Sequence, residues 1–272
     1  MTQLQQVELQ LLEIFTQICD KHNLTYYLVC GTALGAKKYA GFIPWDDDID
    51  VGLPRDEYER FLQIAPYELP QWCFLQNYRT DPGFPFLFTK LRNSNTTYIE
   101  KNVAHITMHH GIYIDIFPLD GYPQDVRGQQ KLRRRKKLLT WMQFCAMKGD
   151  KKIKVQIRNA VFRLLGFHHR TAATMKKMEV LISQYPVRSS EVWCNHGNWQ
   201  GELEYAPRWH YGKGTWATFE GLRVRIPENL DAYLTQKFGD WREDIPEEEK
   251  VGHHFYTVCD PDKPYTHYIN KS

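Results

Sequence analysis

Four carboxylates fall within five residues in Asp46-Asp47-Asp48-Ile49-Asp50, and Val51 continues the apolar alternation that Ile49 begins. Side chains alternate faces along a strand, so this spacing puts Asp48 and Asp50 on one face while Ile49 and Val51 point into a core. Adjacent carboxylates on a rigid strand repel each other and are costly unless a divalent cation lies between them. An all-oxygen site suits Mg²⁺, which takes one or two carboxylates and fills its other positions with water and phosphate oxygens. A third acid, Asp115, lies inside the apolar run Ile112-Tyr113-Ile114-Asp115-Ile116-Phe117. If these two strands are neighbours, Asp48, Asp50 and Asp115 form a triad able to hold two metals about 3.5–4 Å apart. A calcium loop is excluded. Asp46, Asp48, Asp50 and Glu57 fall at its first, third, fifth and twelfth positions, but the obligatory glycine at the sixth is Val51, and Pro54 interrupts the loop.

The surrounding pattern predicts one α/β domain. Leu4, Val7, Leu11, Ile14, Phe15 and Ile18 recur at helical spacing, and His22-Asn23 ends that helix. Tyr26 to Cys30 reads as a buried strand, Gly31 to Gly35 as a turn feeding a short helix, and Trp45 to Val51 as a second strand. Pro54 then starts a helix through Tyr58, Phe61 and Leu62. Residues 72–100 mix aromatics with Pro82, Gly83 and Pro85, which predicts loops and short strands, and Ile112–Phe117 is a third strand broken by Pro118 and Gly121. The pattern is unassigned over 191–216, then gives a strand or hairpin over Phe219–Ile226 and a helix over Asn229–Phe238 stopped by Gly239.

Net charge is +3, but it is divided unevenly. Arg127 to Lys177 holds sixteen Lys and Arg against the single acid Asp150, a local +15 that leaves −12 for the rest of the chain. Leu132, Leu139 and Met142 make one apolar stripe in this basic stretch, and Ile153, Ile157, Val161 and Leu164 make another, so it reads as two or three helices. The domain reading is a catalytic core over 1–125, a basic helical insertion over 126–190 and a C-terminal part over 191–272 that completes the core. The run Arg133-Arg134-Arg135-Lys136-Lys137 beside an apolar stripe reads either as a solvated helix face or as an interfacial helix on anionic lipid. No run approaches 18 apolar residues, so no spanning helix is expected. Glu8, Glu13, Asp20 and Lys21 stand where a signal peptide would be apolar, and six cysteines without a CxxC pair fit a reducing cytoplasm. Cys194, His196 and His210 lie near one another in sequence, but in no standard zinc spacing.

A strand that ends in glycine and turns into a helix presents backbone N–H groups and a positive dipole end, which makes Gly31 and Thr32 phosphate-binding candidates. Together with the acids this carries a family resemblance. Gly31-Thr32-Ala33-Leu34-Gly35-Ala36, followed by Gly41-Phe42-Ile43-Pro44-Trp45-Asp46-Asp47-Asp48-Ile49-Asp50, resembles the hallmark of the LicD family. Tyr113 to Asp120 resembles the second motif of that family, and Phe219-Glu220-Gly221 through Tyr233, Phe238-Gly239-Asp240-Trp241 and Pro246 its C-terminal block. The family pattern favours Arg-His where this chain has Lys38-Tyr39, so the charge is kept at Lys38 and the imidazole is not.

The resemblance implies a nucleotidyltransferase-like mixed sheet with flanking helices. It also implies Mg²⁺ or Mn²⁺ on Asp48, Asp50 and Asp115, and phosphate on Gly31 and Thr32. The implied activity is transfer of phosphocholine from CDP-choline to a sugar hydroxyl on a lipid-linked teichoic-acid or similar surface-glycan precursor, with release of CMP. An enzyme of this kind is expected at the inner face of the cytoplasmic membrane as a peripheral protein, with no nucleic-acid partner. Asp115 is then the candidate acceptor of the hydroxyl proton. Aromatic faces recognise a trimethylammonium group, and Trp45, Trp193, Trp199, Trp209 and Tyr211 are the candidates. Two rivals stay open. A metal-dependent glycosyltransferase also uses a DxD pair, although only one helix and one strand precede Asp48 here. A basic RNA- or membrane-binding module accounts for 127–177 but leaves the acids unexplained.

Overall fold

A computed structural model describes residues 1–147, 152–197, 204–252 and 255–269. Helix α1 (Gln3–Lys21) is closed at its start by a capping box. The Thr2 hydroxyl accepts from the Gln5 N–H, and the Gln5 side chain accepts from Thr2. Its Leu11, Leu12, Phe15, Ile18 and Cys19 are buried in the main core. Strand β1 (Tyr27–Leu28) is short, and α2 (Cys30–Lys38) follows at once. Next come β2 (Asp50–Pro54), α3 (Arg55–Glu68), β3 (Cys73–Gln76), β4 (Thr89–Asn93), β5 (Thr97–Glu100) and the long central β6 (Ile112–Gly121). The basic segment forms α4 (Val126–Phe144), α5 (Ile153–Leu164), a single 3₁₀ turn and α6 (Thr171–Ile182). The remainder is β7 (Val192–Asn195), β8 (Tyr205–Pro207), the one-turn α7 (Arg208–Tyr211), β9 (Thr215–Phe219), β10 (Leu222–Ile226), α8 (Leu230–Phe238), β11 (Tyr256–Asp260) and the one-turn α9 (Thr266–Ile269).

Seven strands make one mixed sheet in the order β1-β2-β6-β4-β3, with β7 also paired to β6 and β8 outside β7. Only β2 and β6 run parallel, in the register Asp50 to Asp115. The α/β mixed sheet with flanking helices and a basic helical insertion is the expected class. Several boundaries differ from the expectation. The first strand ends at Leu28, and Cys30 already opens α2. The second strand starts at Asp50 rather than Trp45, so Asp48 lies in the approach to the strand, not within it. The third strand runs through Pro118 to Gly121. Pro118 is tolerated because β4 pairs with β6 only as far as Ile116, and β7 pairs only from Leu119. The Asp115 N–H points to the Ile49 carbonyl on the β2 side, so by alternation the proline nitrogen faces the gap between β4 and β7, where no ladder bond is lost.

The insertion is fastened to the core by charge. The guanidinium of Arg55 at the start of α3 donates to both oxygens of the fully buried Asp120 at 2.7 and 2.9 Å. Glu59 and Glu179 join that arginine, and Arg79 reaches Glu179 at 2.8 Å, which ties α6 to the sheet.

Candidate active site

Helix α2 opens on a strained residue. Cys30 has φ +52°, a left-handed conformation that a non-glycine residue adopts at a cost. Its N–H donates to the Tyr233 hydroxyl at 3.0 Å, so α8 holds the turn from behind. Gly31 follows, and a Cβ there would stand 2.9 Å from Asp46 Oδ2, so a larger residue would require that carboxylate to move. The carboxylate of Asp46 therefore lies against the first turn of α2, the position that favours an anion. Thr32 is buried, and its hydroxyl accepts from the Asp50 N–H at 2.8 Å, pinning the helix start to the head of β2. Of the two phosphate candidates, Gly31 marks a cradle now facing a carboxylate, and Thr32 positions Asp50.

The loop between α2 and β2 is gripped from the C-terminal half. Glu220, in the turn of the β9–β10 hairpin, accepts from the Phe42 N–H at 3.1 Å and donates its own N–H to the Ala40 carbonyl at 2.8 Å. This loop delivers Asp46, Asp47 and Asp48 with one carboxylate oxygen from each within 4.8 Å of the others. Beside them Asp50 and Asp115 are in-register neighbours on parallel strands and share a face. Of the three expected ligands, Asp48 lies in this gathered group with Asp46 and Asp47, which sequence reasoning saw as part of the run without assigning them, while Asp50 and Asp115 face each other across the two strands beside it. Such crowded like charges with only oxygen donors fit a hard divalent cation. Asp115 is buried, and burial raises its carboxyl to about 6, opposed by Lys90 and reinforced by Glu100 and Asp48.

Lys90 is the residue that sequence reasoning missed. It lies on β4 directly opposite Asp115, is 2% exposed, and places its ammonium 3.0 Å from Asp115 Oδ1 and 3.1 Å from the Tyr113 ring centroid. Glu100 on β5 stands 3.6 Å from both Lys90 and the fully buried Arg92. Arg92 is held in turn by the Gln76 side chain and the Gly111 carbonyl. Two buried cations and two buried anions therefore balance beneath the acid loop. Thr89-Lys90-Leu91-Arg92 does alternate as a strand would, and that was the available signal.

The remaining candidates separate. Lys38, in the last turn of α2, pairs with Asp244 at 3.1 Å. Trp45 is half-buried, edge-on to Tyr39, with the Lys250 ammonium 5.3 Å from its ring centroid. Trp193 donates its indole N–H to the Val187 carbonyl and packs with Tyr27 and Tyr211 in the core, so Trp193 and Tyr211 are structural. Trp209 is exposed and edge-on to His210, and Trp199 lies outside the described residues. Of the described aromatic candidates, Trp45 is the one that adjoins the acids. His196 Nδ1 meets Cys194 Sγ at 3.4 Å and the Lys136 ammonium at 3.1 Å, and among the described residues Asp46–Asp48 is the group gathered closely enough to hold a metal.

Residues 23–142 match the model of the LicD/FKTN/FKRP nucleotidyltransferase domain. Over 261 residues the chain is 28% identical to the lipopolysaccharide cholinephosphotransferase LicD of Haemophilus influenzae, covering 92% of this chain and 94% of that protein. Shorter stretches match two uncharacterized rickettsial proteins. One is from Rickettsia prowazekii, at 29% identity over 42% of this chain and 40% of that protein. The other is from Rickettsia typhi, at 39% over 21% and 18%. The matched domain contains α2, the acid loop, β2, Lys90 and Asp115, so the part of the chain that carries the candidate site is similar to the LicD family of phosphotransferases.

Proposed function

We propose that this enzyme transfers phosphocholine from CDP-choline to a sugar hydroxyl of a lipopolysaccharide, teichoic-acid or similar lipid-linked glycan precursor, working as a peripheral protein at the inner face of the cytoplasmic membrane. The observation that carries the reading is the gathering of Asp46, Asp47 and Asp48, with Asp46 against the first turn of α2, beside the Asp50–Asp115 pair and Lys90 buried against Asp115. The name of the Haemophilus relative supports the transferred group. Phosphoryl transfer asks for positioning and charge neutralisation more than for covalent help from side chains. Mg²⁺ or Mn²⁺, if held by Asp48, Asp50 and Asp115 with Asp46 beside them, would neutralise the diphosphate and lower the pKa of the acceptor hydroxyl.

The chain's own residues do the rest. Thr32 fixes Asp50, and Lys90 offsets charge where the acids crowd. The acceptor oxygen attacks the phosphorus that bears choline, the bond from that phosphorus to the CMP phosphate breaks, and the hydroxyl proton passes to Asp115. An acid group near pH 6 is suited to that exchange. Trp45 and Tyr39 are the aromatic faces closest to hand for the trimethylammonium group. Mass spectrometry of the product from CDP-choline and a candidate glycan tests the proposal: a glycan heavier by phosphocholine, with CMP released, is expected. Pyrophosphate release, or a product carrying CMP, would overturn it.

A further inference from the structure

Helix α5 is turned inside out relative to an ordinary surface helix. Ile153, Ile157, Val161, Leu164 and Leu165 are 50–88% exposed, while the one buried residue of α5 is Asn159. At 100° per residue the five aliphatic side chains fall on one continuous stripe. Lys154 falls within the stripe and Arg158 at its edge, while Lys152 and Arg163 lie further round the helix, beyond Gln156 and Ala160. Arg158 lies over the Trp141 ring, and Arg163 donates to the Cys145 and Met147 carbonyls, so the polar side of α5 is the side docked on the protein. The Arg133–Lys137 run, which the sequence offered as the interfacial element, is partly spent at home. Arg133 donates to the Tyr122 hydroxyl, and Lys136 meets His196.

An aliphatic stripe facing outward, with the exposed Lys154 set in it and a segment of +15 around it, matches the chemistry of an anionic bilayer: acyl chains for the stripe, headgroup phosphates for the cations. We infer that α5 lies in the interface of an anionic lipid bilayer with Ile153, Ile157, Val161, Leu164 and Leu165 inserted, and that the cations of α4 and α5 hold it there. This deepens the proposed function, since a lipid-linked acceptor requires the enzyme at a membrane. Vesicle binding is nevertheless read without any turnover, so the two stand or fall separately.

The test is flotation of the full chain with vesicles of phosphatidylglycerol and phosphatidylcholine. The unmodified protein should float with these and not with phosphatidylcholine alone. Replacing Ile153, Ile157 and Leu164 with Gln, at positions already in solvent, should leave the circular dichroism spectrum unchanged and lower vesicle affinity by roughly tenfold per residue. Ile157→Trp should give an emission maximum that shifts to the blue when these vesicles are added. Equal flotation of the triple Gln variant, an Ile157→Trp emission indifferent to vesicles, or absence of flotation together with a dimer that the triple variant dissolves would each overturn the inference. The last outcome would assign the stripe to a second copy of the chain.

Discussion

At the scale of single residues, the acids carry the clearest expectations. Asp48→Asn or Asp50→Asn should lower turnover by about a thousandfold or more, several kcal/mol of lost charge stabilisation. Each variant should keep its fold, because one fewer carboxylate relieves repulsion in the metal-free protein. Steady-state rates with Mg²⁺ and with EDTA, beside a thermal melt, measure both parts. Equal activity in Mg²⁺ and in EDTA would remove the metal from the account. Lys90→Met should cost roughly a hundredfold in kcat, the usual scale for one preorganised charge, and Lys90→Arg should recover part of it. The pH dependence follows from Asp115. Its carboxyl is raised to about 6 by burial, so below that pH a divalent ion has to displace a proton. Mg²⁺ affinity by titration calorimetry should therefore fall as pH drops from 7 to 5, with proton release growing over the same interval. Asp115→Asn should flatten that dependence.

At the scale of elements, the sequence made the apolar strands and the acid run readable because both are local patterns. The Asp50–Asp115 partnership was reachable as well, since each acid sits in its own apolar strand. Two things were not readable. Asp48 was placed on β2 by alternation, but the pinning of the Asp50 N–H by Thr32 sets the first strand residue at Asp50, and that bond spans eighteen positions. Lys90 drew no assignment, because nothing local says that Asp115 and Glu100 will close around it from two other strands. The Pro118 break was a correct local rule defeated by sheet order. Gly31 offers a test at this scale. Gly31→Ala puts a methyl 2.9 Å from Asp46 Oδ2, so the loop has to shift while α2, a helix that favours alanine over glycine, does not suffer. Activity should drop at least about tenfold with the melting temperature unchanged or raised. A fully active Gly31→Ala enzyme would show that Asp46 has no bearing on the site.

At the scale of the whole molecule, the proposed donor makes a prediction of its own. A trimethylammonium group on aromatic faces gains about 2 kcal/mol when desolvated, near thirtyfold in binding. CDP-choline should accordingly be used faster than CDP-ethanolamine by about one to two orders of magnitude, and CDP-ribitol, which has no cation, should fail. Competition kinetics with the three donors decide it, and equal rates for choline and ribitol would redirect the enzyme toward alditol-phosphate transfer. The pairing of β11 with β5 bears on something else, the order in which a newly made chain matures. Tyr256 sits opposite Glu100, the anion that balances Lys90 and Arg92, so the strand flanking that charge cluster comes from far along the sequence. A ribosome that has already synthesised every carboxylate of the site must still thread out the basic helices, the β9–β10 hairpin and α8 before β5 finds its partner. Contacts this distant in sequence form late. Until they do, the growing polypeptide carries its acids on an unfinished sheet, and the charge cluster beneath the site waits on a strand made long after the acids themselves.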